Sequence, residues 1–122
     1  MAAFTDQIRD GVLGQLRGLL PDIDDTTLRR YLTEAVATQA RVLRQLADHL
    51  REHPDALTSA SPRCPGVWVR LTHVLHAAGH THIARPGCAV CRKITVELPR
   101  ITTAGRICLR CHQRAHPPLG EP

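Results

Sequence analysis

Two Cys-x-x-Cys pairs, Cys88-Ala89-Val90-Cys91 and Cys108-Leu109-Arg110-Cys111, constrain this chain more than any other feature of its sequence. Sixteen residues separate them. Two residues between cysteines let one tight turn aim both sulfurs at a single point. Two such pairs at a short separation form the pattern of a tetrahedral zinc site, with Zn–S distances of about 2.3 Å. The separator is long enough for a β-hairpin that returns the chain to the metal. Cys88, Cys91, Cys108 and Cys111 are therefore read as the ligands of one structural Zn²⁺. Four thiolates leave no open position for substrate or water, so such a metal organises the chain and does not catalyse.

Within the separator, Ile94-Thr95-Val96-Glu97-Leu98 alternates as a strand does, Thr103-Ala104-Gly105-Arg106 supplies a turn, and Arg106-Ile107 leads back to the second pair. After Cys111, residues 112–116 can start a short helix. The order turn, hairpin, turn, helix is that of a treble clef, whereas an extended tail makes a zinc ribbon. His112 and His116 lie near enough to replace a cysteine or to hydrogen-bond to one, but the second pair is complete without them.

The remainder reads as helix. Phe4, Ile8, Val12, Leu16, Leu19 and Leu20 form a helical stripe over residues 5–20, with Thr5 as the N-cap and Pro21 as the stop. Gly11, Gly14 and Gly18 each cost up to about 1 kcal/mol there, which calls for supporting packing or for a closely approaching neighbour helix. Asp25 caps a long helix over 26–52 whose apolar face includes Leu28, Tyr31, Leu32, Val36, Leu43, Leu46 and Leu50. A polar gap at Gln39 implies a bend or two shorter helices. Pro54 ends that run, and residues 53–57 make a turn with Leu57 plugging the core. Residues 58–65 are a Ser/Pro-rich boundary. A further helix over 67–78 ends at Gly79, where a left-handed cap belongs.

The expected fold is mainly α: a helical domain of about three helices followed by a small four-cysteine zinc ribbon or treble-clef module. Its parts are a helical domain at 1–62, a third helix packing on it within 63–82, the zinc module at 83–117 and a flexible tail at 118–122.

Charge divides along the same line. Residues 1–62 carry seven Arg against nine Asp and Glu, whereas residues 83–122 carry six Arg and Lys93 against Glu97 and Glu121. A basic tail behind an acidic front half implies a polyanionic partner. Arg92, Lys93, Arg106, Arg110 and Arg114 surround the cysteines and are the expected contacts to duplex DNA. Contacts of this kind go to phosphates and carry little sequence preference. The segment lacks aromatics for base stacking, which argues against single-strand readout. The alternative partner is a protein, with the zinc purely structural.

No basic region followed by an apolar run marks a signal peptide, and no stretch approaches the roughly 20 apolar residues of a membrane span. A cytoplasmic location is expected, where paired cysteines favour metal over disulfides. Cys64, between Arg63 and Pro65, is read as a small structural residue. His73, His76, His80 and His82 cluster, but no carboxylate lies between Asp55 and Glu97 to complete a catalytic metal site, so a polar helix face is the simpler reading. No nucleophile motif, phosphate loop or small-molecule site is visible, and the chain is not expected to be an enzyme.

Several stretches together resemble a known arrangement: Asp48-His49-Leu50, Pro54-Asp55-Ala56-Leu57-Thr58-Ser59, Ala77-Ala78-Gly79-His80, Arg85-Pro86-Gly87-Cys88-Ala89-Val90-Cys91 and Gly105-Arg106-Ile107-Cys108-Leu109-Arg110-Cys111. They are similar to the N-terminal region of large actinobacterial site-specific integrases of the tyrosine recombinase type. In that family a Leu-rich helical segment precedes a Gly-Arg-x-Cys-x-x-Cys ribbon, and the catalytic set lies in a downstream domain. The only tyrosine here is Tyr31, on a helix's apolar face, so no catalytic residue carries over. The resemblance implies an accessory module or a truncated copy, without recombinase chemistry of its own.

Overall fold

The apolar stripe of the first segment becomes the inner face of α1, Ala2–Leu19, with Val12, Leu13 and Leu16 fully buried. The computed structural model describes residues 2–35 and 37–115, and the side chains of residues 5–35 and 37–114. The expectations for Phe4 as a core residue, for Val36, for His116 and for residues 118–122 lie outside that description. The helix starts before Thr5, so Thr5 lies inside its first turn and is not the N-cap. A Cβ added at Gly11 or Gly18 meets nothing within 4 Å, so no neighbour helix approaches there, and packing of the opposite face supports α1.

The long second helix divides at Gln39. Helix α2 spans Asp25–Glu34 and α3 spans Ala40–Glu52, with Gln39 extended at φ −94°, ψ 147°. Asp24, not Asp25, caps α2: the Thr27 N–H donates to Asp24 Oδ1 at 2.8 Å. Asp25 is the first helical residue and pairs instead with Arg17 at 3.3 Å. A single turn, α4, Ala56–Ser59, occupies the segment after Pro54, with Ala56 buried and Leu57 packed partly against the core. Helix α5, Gly66–Ala77, carries the fully buried Trp68, and Gly79 at φ +105° provides the expected left-handed exit. The anticipated three helices are thus five before residue 80.

Helix α1 packs on α3, α2 bridges α1 and α5, and α3 also meets α5. Their leucines and Trp68 form one apolar cluster that continues into the cysteine-rich segment through Ile83, Cys88, Leu98, Ile107, Cys108 and Cys111. That segment contains a two-stranded antiparallel hairpin, β1 (Arg100–Thr102) and β2 (Gly105–Ile107), paired Arg100 to Ile107 and Thr102 to Gly105. It ends in α6, Leu109–Ala115. The first strand therefore lies later than Ile94–Leu98, where alternation placed it. Ile94 makes only an isolated bridge to Gly87. No helix among the described residues is long and apolar enough to cross a membrane.

Residues 62–64 lie against β2. The Arg106 N–H donates to the Pro62 carbonyl at 2.7 Å, and Gly105 sits at φ +126° with Pro62 so close that an added Cβ would lie 2.8 Å from it. Only glycine satisfies both conditions.

Candidate metal centre

The first cysteine pair is shaped by backbone hydrogen bonds. The Cys88 N–H donates to the Lys93 carbonyl and the Arg92 N–H to the Cys88 carbonyl, both at 2.9 Å, closing a loop whose exit residue, Arg92, is left-handed at φ +65°. The Ala89 N–H donates to the Arg106 carbonyl at 2.8 Å and fastens this loop to β2. The second pair enters α6: the His112 N–H donates to the Cys108 carbonyl at 3.0 Å, which places Cys111 in the first helical turn. The first cysteine loop, the hairpin and α6 follow in that order, and the tail through Ala115 is helical.

This arrangement brings together the four sulfurs. All four Sγ atoms lie within 4.8 Å of one another, a group that can hold a metal ion, and it is the one such group among the described residues. The Cys88 and Cys111 sulfurs are 3.7 Å apart, and those of Cys91 and Cys108 are 3.8 Å apart. All four are free thiols; Cys88, Cys108 and Cys111 are buried, and Cys91 is exposed. His112 is not a member of the group.

The donors around Cys88 suit an anion. The N–H groups of Val90 (3.4 Å), Cys91 (3.5 Å) and Cys108 (3.4 Å) all point at its sulfur. Burial opposes ionisation of Cys88, but these donors outweigh it and hold the thiol at about 6. Cys111 moves the other way: burial and then the neighbouring sulfurs push it up to about 12. Four thiols in this space cannot all ionise without a cation between them, whereas a bound dication displaces the remaining protons.

The other residues singled out from sequence divide into distinct environments. Lys93, Arg110 and Arg114 line one cleft of about 490 Å³ beside Cys91, Cys108 and Cys111. Arg92 lines a different cleft, with Arg85, Gly87 and Ile94. Arg106 does not join either set as a free contact. Its Nε donates to the Cys64 carbonyl at 2.6 Å and its Nη1 to the Leu98 carbonyl at 3.0 Å, so the side chain is an internal clamp. Cys64 is buried, and burial pushes its thiol up to about 11 against the opposing charge of Arg106.

The histidines do not gather into a second centre. His80 stacks edge-on against Tyr31 at 6.0 Å and His82 at 6.2 Å. His73 is held low chiefly by burial and then by Arg85, while a backbone hydrogen bond to Thr95 acts the other way, and its buried Nε2 has no partner.

Two features escaped sequence reasoning. The ion pairs, Arg9–Asp6, Arg17–Asp25, Arg29–Asp10 and Arg51–Asp48, all fall within residues 6–51, and among the described residues no arginine or lysine from 63 to 114 reaches a carboxylate. The scarcity of acids after Asp55 is the signal for this. Moreover, among the described residues the exposed large apolar side chains, Val90, Ile94, Val96, Ile101 and Leu109, all lie on the cysteine-rich segment. The alternation over 94–98 hid them, because it suggested a strand with an inward face. No family model, curated protein or solved structure matches the chain.

Proposed function

We propose that the chain is a zinc-stabilised, non-enzymatic accessory module that contacts duplex DNA through its phosphates. The observation that carries this reading is the convergence of four sulfurs beside cations that no carboxylate neutralises. A tetrahedral ion with Zn–S bonds of about 2.3 Å sets neighbouring sulfurs about 3.8 Å apart. The 3.7 and 3.8 Å separations fit that edge, and the N–H donors around Cys88 match a thiolate. Bound zinc supplies neutralisation of the thiolates. The chain's own residues then hold Lys93, Arg110 and Arg114 on one side of the site and Arg92 on another. By the resemblance to integrase N-terminal regions, recombinase chemistry is supplied elsewhere.

Salt dependence tests the reading. Each phosphate contact contributes about −0.9 to the slope of log affinity against log salt on duplex DNA. Replacing Lys93, Arg110 and Arg114 with Ala is expected to weaken binding at low salt and to flatten that slope by about 2 to 3. An unchanged slope, or no binding by the parent protein at low salt, overturns it.

A second reading, a protein-interaction adaptor with purely structural zinc, draws support from the exposed Val90, Ile94, Val96, Ile101 and Leu109. These side chains share one segment of the chain, and exposed apolar surface of that kind is a feature of interaction sites where it is contiguous.

A further inference from the structure

A groove of about 740 Å³ runs between α3, the start of α5, residues 96–99 and Leu109. We propose that it binds a peptide segment of a protein partner, with an Asp or Glu carboxylate seated over Gly66 and aliphatic side chains against Val96 and Leu109. This groove adjoins the cleft of the cations assigned to DNA, sharing Glu97 and Leu109 with it, but its seat is built from other arginines and is tested apart from them.

The seat is defined by two guanidinium groups. A Cβ built at Gly66 would lie 3.4 Å from Arg70 Nη1 and 3.6 Å from Arg106 Nη2, so both groups converge on the space that Gly66 leaves open. Neither is free to swing away. Arg70 Nε is tied to the Ala35 carbonyl at 2.7 Å, and Arg106 Nε and Nη1 are tied to the Cys64 and Leu98 carbonyls. Carbonyls position the groups without neutralising them, and neither arginine reaches a carboxylate among the described residues. Two half-buried like charges at close range repel, and an anion between them relieves that repulsion. Gly66 also opens the twelve-residue α5, whose N-terminal dipole has the same sign preference. Guanidinium forks held in place are suited to a carboxylate.

The walls choose the source of that carboxylate. Val96 and Leu109 line the groove and are each about half exposed, 48% and 49%, beside Val42. Arg41 adds a further cation at the rim, and Glu97 is the single acidic lining residue. Phosphodiester backbones gain nothing from aliphatic walls, and the groove has no aromatic for a base. A peptide that alternates acidic and aliphatic residues satisfies both the charge and the apolar surface.

The test is selection of a random-peptide display library on the metal-loaded protein, followed by fluorescence anisotropy of labelled selected peptides. Enriched peptides should combine Asp or Glu with Leu, Ile or Val. Gly66→Ala, which places a methyl in the seat, and Val96→Ser or Leu109→Ser, at exposed sites, should each weaken binding by about tenfold or more. Circular dichroism and metal content should remain those of the parent. No enrichment, enrichment without acidic residues, or affinities indifferent to these variants overturns the proposal. So does loss of duplex DNA affinity in Gly66→Ala with no peptide competing, which makes the seat a phosphate contact. Replacing Lys93, Arg110 and Arg114 with Ala should leave peptide affinity unchanged, so failure of the DNA reading is scored separately.

Discussion

Gly105 is the residue on which the hairpin's docking turns. Its φ of +126° belongs to glycine, and Pro62 occupies the space a side chain would need. Gly105→Ala meets both obstacles, and a loss of about 2 kcal/mol or more is expected in denaturant unfolding. An unaltered midpoint would show that the turn relaxes freely. His49 makes a pH-dependent contribution in the core. It is buried against Trp68, with ring centroids 5.4 Å apart, and lies 4.7 Å from His53. Burial first, and then His53, push its pKa down to about 4, with Asp55 opposing. The unfolded histidine titrates near 6.5, so between those values the unfolded chain binds the extra proton. His49 therefore costs nothing above about pH 6.5, and stability falls as the pH drops toward 4, by at most about 1.4 kcal/mol per unit. Unfolding curves at pH 7 and pH 5 should show this loss, and His49→Leu should reduce it.

At the scale of elements, the helices were legible because their cues are local. Periodic leucines, a polar break at Gln39 and glycine at position 79 each act within a turn or two. The hairpin's position was not, since competition for backbone groups decides it. The Leu98 carbonyl goes to Arg106 Nη1 and not to a ladder, and Pro99 has no N–H to give, so pairing waits until Arg100. Alternation over 94–98 carries no trace of that competition. The same arginine shows that a basic residue beside the cysteines need not face a phosphate. Arg106 ties the segment before α5, the loop before β1 and β2 together. Arg106→Ala should lower stability by about 1–3 kcal/mol, as expected when buried carbonyls lose their donors. It should also open Cys64 to a thiol-specific reagent in metal-loaded protein. A Cys64 that stays protected would contradict the clamp.

Across the whole molecule, charge and apolar exposure divide at the same place. Among the described residues the ion pairs named above lie within residues 6–51, while no cation of the cysteine-rich part reaches a carboxylate and the exposed large aliphatics lie there. One apolar cluster nonetheless runs through both, so the basic surface rests on a helical base. The cysteine spacing disclosed the metal group from sequence alone, because two tight turns suffice to aim each pair. The groove beside Gly66 was invisible there, since Arg70, Val96 and Arg106 meet only after folding. By the function proposed above, four cysteines hold one zinc ion beneath that surface. Zinc and protein measured on the same purified sample test it most directly. About one zinc per chain is expected, lost in Cys111→Ser; less than about half an equivalent in the parent protein rules out the four-cysteine site.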